Sequence, residues 1–164
     1  MKTAVIFYSN NGNCALVAEQ IKTRMNADLL HVHAKNEKKR CRVGRFCAAF
    51  AMIFIHRRPA IEPLDFDLSD YDLIIVGTPV WAASPAPPMQ TFLSQAGITG
   101  KKMALFVSHA GGQGRALERF RNLLPGNTII AEMDFTNPVR NYEDTKRHVA
   151  NWVKTICNQL DVSK

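Results

Sequence analysis

Ser9-Asn10-Asn11-Gly12-Asn13-Cys14 is the first stretch whose residue types could hold a ligand. It follows the apolar run Ala4–Tyr8 and precedes residues that turn helical in period, with Val17, Ile21 and Met25 spaced four apart. A strand, a tight polar loop and a helix start together make a phosphate site, because free backbone N–H groups and the positive end of the helix dipole meet in the loop. The loop contains no lysine, so an anion would be held by neutral donors: the Ser9 and Asn11 side chains and the amides from Asn10 to Cys14. Read alone, the same loop also suits a plain strand-to-helix turn. A second stretch, Thr78-Pro79-Val80-Trp81-Ala82-Ala83-Ser84-Pro85-Ala86-Pro87-Pro88, offers a flat apolar wall, Trp81, on a backbone stiffened by prolines. A third, Ser108-His109-Ala110-Gly111-Gly112-Gln113-Gly114, is dense in glycine, so its backbone can come close to a planar ligand.

Each of these loops needs a strand to carry it. Lys2–Tyr8, continuously apolar from Ala4, and Leu73–Gly77 read as strands buried on both faces of a parallel sheet. Asp28–His33 alternates and reads as a shorter edge strand; Met103–Val107 and Thr128–Met133 complete a set of five. Between them fall helices at about Asn13–Met25, from Pro87 or Pro88 to Gly97, around Leu117–Leu124, and from Asn141 onward, where Asn141 would cap and Glu143 and Asp144 would favour the first turn. One more helix is expected around 43–56. Strands alternating with helices predict a single α/β domain over 1–164, a doubly wound three-layer sandwich with a five-stranded parallel sheet in order 2-1-3-4-5. Ligands in such sheets bind outside the carboxyl ends of the strands, beside the point where strand order reverses. The loops after the first, third and fourth strands meet there.

At 164 residues the chain can bury roughly 70% of its unfolded surface. The first residues run straight into a strand without the pattern of a signal peptide. The longest uncharged, mainly apolar run, Phe46–Ile55, is far shorter than the roughly 20 residues of a spanning helix. Four cysteines (Cys14, Cys41, Cys47, Cys157) form no C-x-x-C pair and no zinc spacing, so reduced thiols and a cytoplasmic location are expected. Eight cations and one anion lie between Lys35 and Arg58, which accounts for the whole net charge of +7; the remainder holds thirteen of each sign. That segment reads as a solvated face beside a buried helix, or as a surface for an acidic redox partner or an anionic membrane. It lacks interleaved aromatics, so no nucleic acid is expected. His31 and His33 share one side of a strand without a third ligand, which favours a solvated edge over a metal. Cys14 opens a helix, where a thiol is either reactive or packed and inert.

Phosphate donors at one end and planar walls at the other describe a mononucleotide with a large ring system, and flavin mononucleotide (FMN) fits better than a purine nucleotide. No G-x-x-x-x-G-K-[ST] is present, and Gly111-Gly112-Gln113-Gly114 lacks the dinucleotide G-x-G-x-x-G spacing. At these residues the chain resembles the flavodoxin-like flavoproteins over essentially its whole length. Their phosphate loop has the form [ST]-x-[ST]-G-x-[ST]; here Asn11 and Cys14 replace two hydroxyl residues. The stretch Gly77–Pro88 is similar to the ring-flanking loop of a flavodoxin-like subgroup. By that resemblance the cofactor residues are Ser9, Asn10, Asn11, Gly12, Asn13, Cys14, Thr78, Pro79, Val80, Trp81, Ala82, Ser108, His109, Ala110, Gly111 and Gly112. Trp81 would pack on the isoalloxazine, the backbone near Trp81 and Ala82 would approach its N5 edge, and the loop from Ser108 would lie on the other side. Many flavodoxins stack a Tyr there, and this chain has only His109, a contact or proton donor if it is not simply a solvent-facing loop residue. The resemblance implies a low-potential electron carrier working with redox partner proteins; an FMN-dependent NAD(P)H quinone or flavin reductase and a flavin-free interaction module are the alternatives. A homodimer is left open.

Overall fold

A computed structural model describes residues 1–35, 58–63 and 66–162. In chain order its elements are β1 (Thr3–Phe7), α1 (Asn13–Met25), β2 (Asp28–His31), a short 3-10 turn (Leu68–Asp70), β3 (Leu73–Trp81), β4 (Ser84–Pro85), α2 (Pro87–Ala96), β5 (Lys102–His109), α3 (Ala116–Asn122), β6 (Thr128–Thr136) and α4 (Tyr142–Val162). Five strands form one parallel path, β2-β1-β3-β5-β6, and the two-residue β4 folds back antiparallel on the end of β3. Leaving β4 aside, this is the order read from the sequence.

Alternation along the central strands explains the three layers. Ala4, Ile6 and Tyr8 of the first strand segment, Ile74 and Val76 of β3, and Met103, Leu105 and Val107 of β5 face one side. There they meet Met89, Phe92 and Leu93 of α2 and Phe120 of α3. The intervening residues Val5, Phe7, Leu73, Ile75, Ala104 and Phe106 face the other side, against Val17 and Ile21 of α1 and Val149, Trp152 and Ile156 of α4. A period of two in the strands therefore supplies two separate cores, each closed by helices of period 3.6.

Several boundaries differ from the sequence reading. β3 does not stop at Gly77 but runs on through Thr78, Pro79 and Val80 to Trp81, so these residues are strand rather than loop. The reason lies in its partners: β5 pairs with it as far as Pro79↔Ser108, and β4 then takes over at Val80↔Pro85 and Trp81↔Ser84. β6 likewise extends to Thr136. Asn141 precedes α4 and its carbonyl accepts from the Thr145 N–H, but its side-chain amide donates back to the Thr136 carbonyl at 2.8 Å. His31 and His33 are half-buried, not a solvated face: the His31 ring stacks on Phe7 at 4.5 Å and lies 3.9 Å from the His33 ring. The helix expected around 43–56, and most of the basic segment Lys35–Arg58, lie outside the described residues. Among the described residues no helix is long and apolar enough to cross a membrane.

Candidate functional site at the carboxyl edge of the sheet

The register of the sheet brings the three loops together. Phe7 stands opposite Gly77, Pro79 opposite Ser108, and His109 opposite Thr136, so the ends of β1, β3, β5 and β6 form one rim. The Tyr8 N–H donates to the Gly77 carbonyl at 3.0 Å and ties the first loop to the second.

In the first loop Gly12 turns the chain at φ +86°, a left-handed value that favours glycine, and its carbonyl accepts the Leu16 N–H at 2.9 Å to begin α1. The helix has no acidic residue in its first turn, so its positive end is not neutralised by a carboxylate. Ser9 Oγ accepts from the Ala15 N–H at 3.2 Å, and Asn11 Oδ1 accepts from the Asn13 N–H at 3.4 Å. Both side chains thus keep their own protons, the Ser9 hydroxyl and the Asn11 amide, for a ligand. Asn13 is used differently: its Oδ1 accepts from the Val139 N–H at 2.9 Å. Cys14 lies beneath the loop, fully buried, with Sγ 3.0 Å from Ser108 Oγ. Each of these two groups occupies the other.

Burial pushes the Cys14 thiol from 9.0 up to about 12, opposed by its hydrogen bonds with Ser108. A raised thiol pKa means that the fold prefers the neutral form. The stabilisation from burying it is complete below about pH 9 and is lost as the pH climbs towards 12. At pH 8 iodoacetamide is expected to label the exposed Cys157 in the folded protein and to leave Cys14 unlabelled until denaturant is added. Peptide mass spectrometry reads this directly, and native-state labelling of Cys14 would contradict the packing.

In the second loop Thr78 is wholly buried, and its Oγ1 accepts from the Ala86 N–H at 3.0 Å. One side chain thereby joins the end of β3 to the start of α2. Trp81 is half-buried and meets the Tyr8 ring edge-on at 6.0 Å, so part of its surface belongs to the core and part to the rim. Between Trp81 and Ser84 the chain reverses in two residues, Ala82 at φ +49° and Ala83 at φ +54°. Positive φ at both central positions is the type I′ hairpin pattern, usually built with Asn and Gly. For alanine each such residue costs about 1–2 kcal/mol.

In the third loop the His109 ring is not solvent-facing. Its side chain is only 7% exposed; Nε2 lies 2.8 Å from Asp134 Oδ2, and Nδ1 accepts from the Gly112 N–H at 3.0 Å. The Gly112 bond assigns the neutral ring's proton to Nε2. The ring therefore braces the loop, while Ala110, Gly111 and Gly112 form its exposed crest, with nothing within 4 Å of where a Cβ on either glycine would stand. Gln113, part of the third stretch but not among the cofactor residues that the resemblance implied, has its Oε1 buried with no hydrogen-bond partner. The sequence reading passed over the turn after β6. There Asn137, at φ +45°, donates from Nδ2 to the Ala110 carbonyl at 3.4 Å, and Val139 leans on Gly12. The dipeptide Asn137-Pro138 after a strand was the available signal.

An unscreened helix start, two neutral side-chain donors, an open glycine crest and an orphaned amide oxygen fit a phosphate joined to a flat ring that carries N–H donors. Among the described residues no group of three or more His, Cys, Asp or Glu could hold a metal ion. The flavodoxin family model matches residues 2–156. A flavoprotein in complex with FMN from Lactobacillus acidophilus NCFM is 25% identical, with 87% of this chain and 98% of that one covered at a TM-score of 0.70. The apo-form of the flavoprotein from the same organism is 27% identical over 86% and 96%, at 0.66. Oxidised flavodoxin 2 from Bacillus cereus is similar in fold, 17% identical over 97% and 99%, at 0.61.

Proposed function

The chain belongs to the flavodoxin family, and from that premise we propose that it binds FMN without a covalent link and carries electrons between partner proteins. The observation that carries this reading is the convergence of the loops after β1, β3 and β5 on one rim. The amides of the first loop, with the Ser9 hydroxyl and the Asn11 amide, would hold the phosphate. Trp81 and the crest Ala110–Gly112 would border the ring, and Gln113 Oε1 would accept from a ring N–H. When bound, the flavin supplies the redox chemistry, one or two electrons at a time. The chain's own residues orient it and limit water at its inner face. Ala82, Gly111 and Gly112 are exposed, so the rim of the ring site lies at the surface, within reach of a docked protein. The net charge of +7 favours a partner with an acidic face, and association would then weaken with salt. A cytoplasmic carrier is the setting this reading assumes.

Visible spectra before and after addition of FMN and desalting test the site. Retained flavin bands are expected, followed by two resolved one-electron steps on stepwise reduction. Loss of all flavin on desalting would remove the reading. Rapid turnover with NADH or NADPH and a quinone would move the protein to the reductase alternative.

A further inference from the structure

Two consecutive alanines at positive φ have nothing in their own side chains to keep them there. The hold comes from α3. Arg119 reaches across, and its Nη1 donates to the Ala82 carbonyl at 3.3 Å, the Ala83 carbonyl at 3.2 Å and Ser84 Oγ at 2.5 Å. Gly114 closes the other side, since a Cβ there would stand 2.9 Å from the Ala83 Cβ. The neighbouring arginines are used otherwise: Arg115 pairs with Glu118 and Arg121 with Glu132. Of the three, Arg119 is the one spent on backbone carbonyls.

We propose that Arg119 is a positioning residue for the flavin ring, acting through the Ala82–Ala83 turn; this rests on the FMN reading above. A peptide unit is planar and trans, so its C=O and N–H point opposite ways. With the Ala82 carbonyl drawn to Arg119, the Ala83 N–H on the other edge of that peptide is the group left for a ligand. A backbone N–H donates to an unprotonated ring nitrogen, whereas a carbonyl accepts from a protonated one. The direction in which Arg119 holds this peptide therefore biases the redox state the site prefers. It does so without Arg119 touching the ring.

Arg119→Met removes the donors and keeps an apolar stem, and Arg119→Lys keeps the charge without the planar fork. In flavin-free protein, amide exchange at Ala83 and Ser84 is expected to quicken at least tenfold in Arg119→Met, with exchange in β1 unchanged. In FMN-loaded protein the ratio of the two one-electron equilibrium constants is expected to rise at least tenfold, because the freed carbonyls can turn and accept. Arg119→Lys should restore neither value fully. Unchanged exchange in Arg119→Met overturns the clamp. Faster exchange with unchanged redox steps overturns the ring role, and wild-type behaviour of Arg119→Lys in both reduces Arg119 to a charge. A wild-type protein that holds no FMN defeats the parent reading and the ring role with it, while the exchange rates still report on the clamp.

Discussion

Gly77→Ala is expected to cost about 3 kcal/mol or more and to lower the thermal midpoint by roughly 6–12 °C. Gly77 lies in the middle of the sheet, paired with Phe7 on one side and Phe106 on the other. A Cβ there would fall inside the Phe106 ring. That ring has no room to retreat: it is fully buried, with Phe135 and Trp152 edge-on at 6.2 Å each. The φ at this position is ordinary, so the effect is one of space and not of backbone strain. This separates it from a glycine needed for a turn, and the separation can be measured. Gly77→Ala combined with Phe106→Leu should recover a large part of the loss in urea unfolding of the flavin-free protein, whereas two independent defects would add. A single variant as stable as wild type would mean that Phe106 packs elsewhere.

The second large effect is expected from Thr78→Val, a change of shape by almost nothing. The Ala86 N–H then loses its acceptor in a site with no access to water, which costs about 2–3 kcal/mol. Thr78→Ser keeps the oxygen and should lie close to wild type. Because this bond fixes the distance between β3 and α2, the hairpin between them loosens as well. FMN affinity in Thr78→Val is expected to fall about tenfold, and titration of flavin fluorescence gives the number directly. Wild-type affinity in a destabilised Thr78→Val would show that the two ends of the hairpin need no such tie.

Much of this was legible in the residues. Ala4–Phe7 and Leu73–Val76 are apolar at every position because both of their faces are covered. Asn13–Met25 declared its period through Val17 and Ile21, and both ends matched. What misled was proline. Pro79 and Pro85 read as loop formers, yet Pro79 stands near the end of a ladder and Pro85 in the two-residue β4, where a missing N–H is tolerated. The Ala82–Ala83 turn could not be read, since alanine is not a residue that announces positive φ. His109 offered no sign of its burial, because Asp134, its partner, is 25 residues away in sequence. Arg119 and Val139 escaped for the same reason: their roles are contacts made across the fold, and periodicity reports only on neighbours along the chain.

The tie between Asn13 and Val139 joins positions 126 residues apart, and it has a bearing on when the protein becomes competent during its own synthesis. The loop that would meet the phosphate is made before the segment that braces it. The segment it leans on, and the α4 helix that packs on α1 and β6 and sets Trp152 against Phe106, are made more than a hundred residues later. Until then Phe106 lacks its edge-on partner Trp152, and α1 lacks the helix that packs beside it. A phosphate loop braced in this way is therefore complete only once Val139 has been made and has folded back onto it.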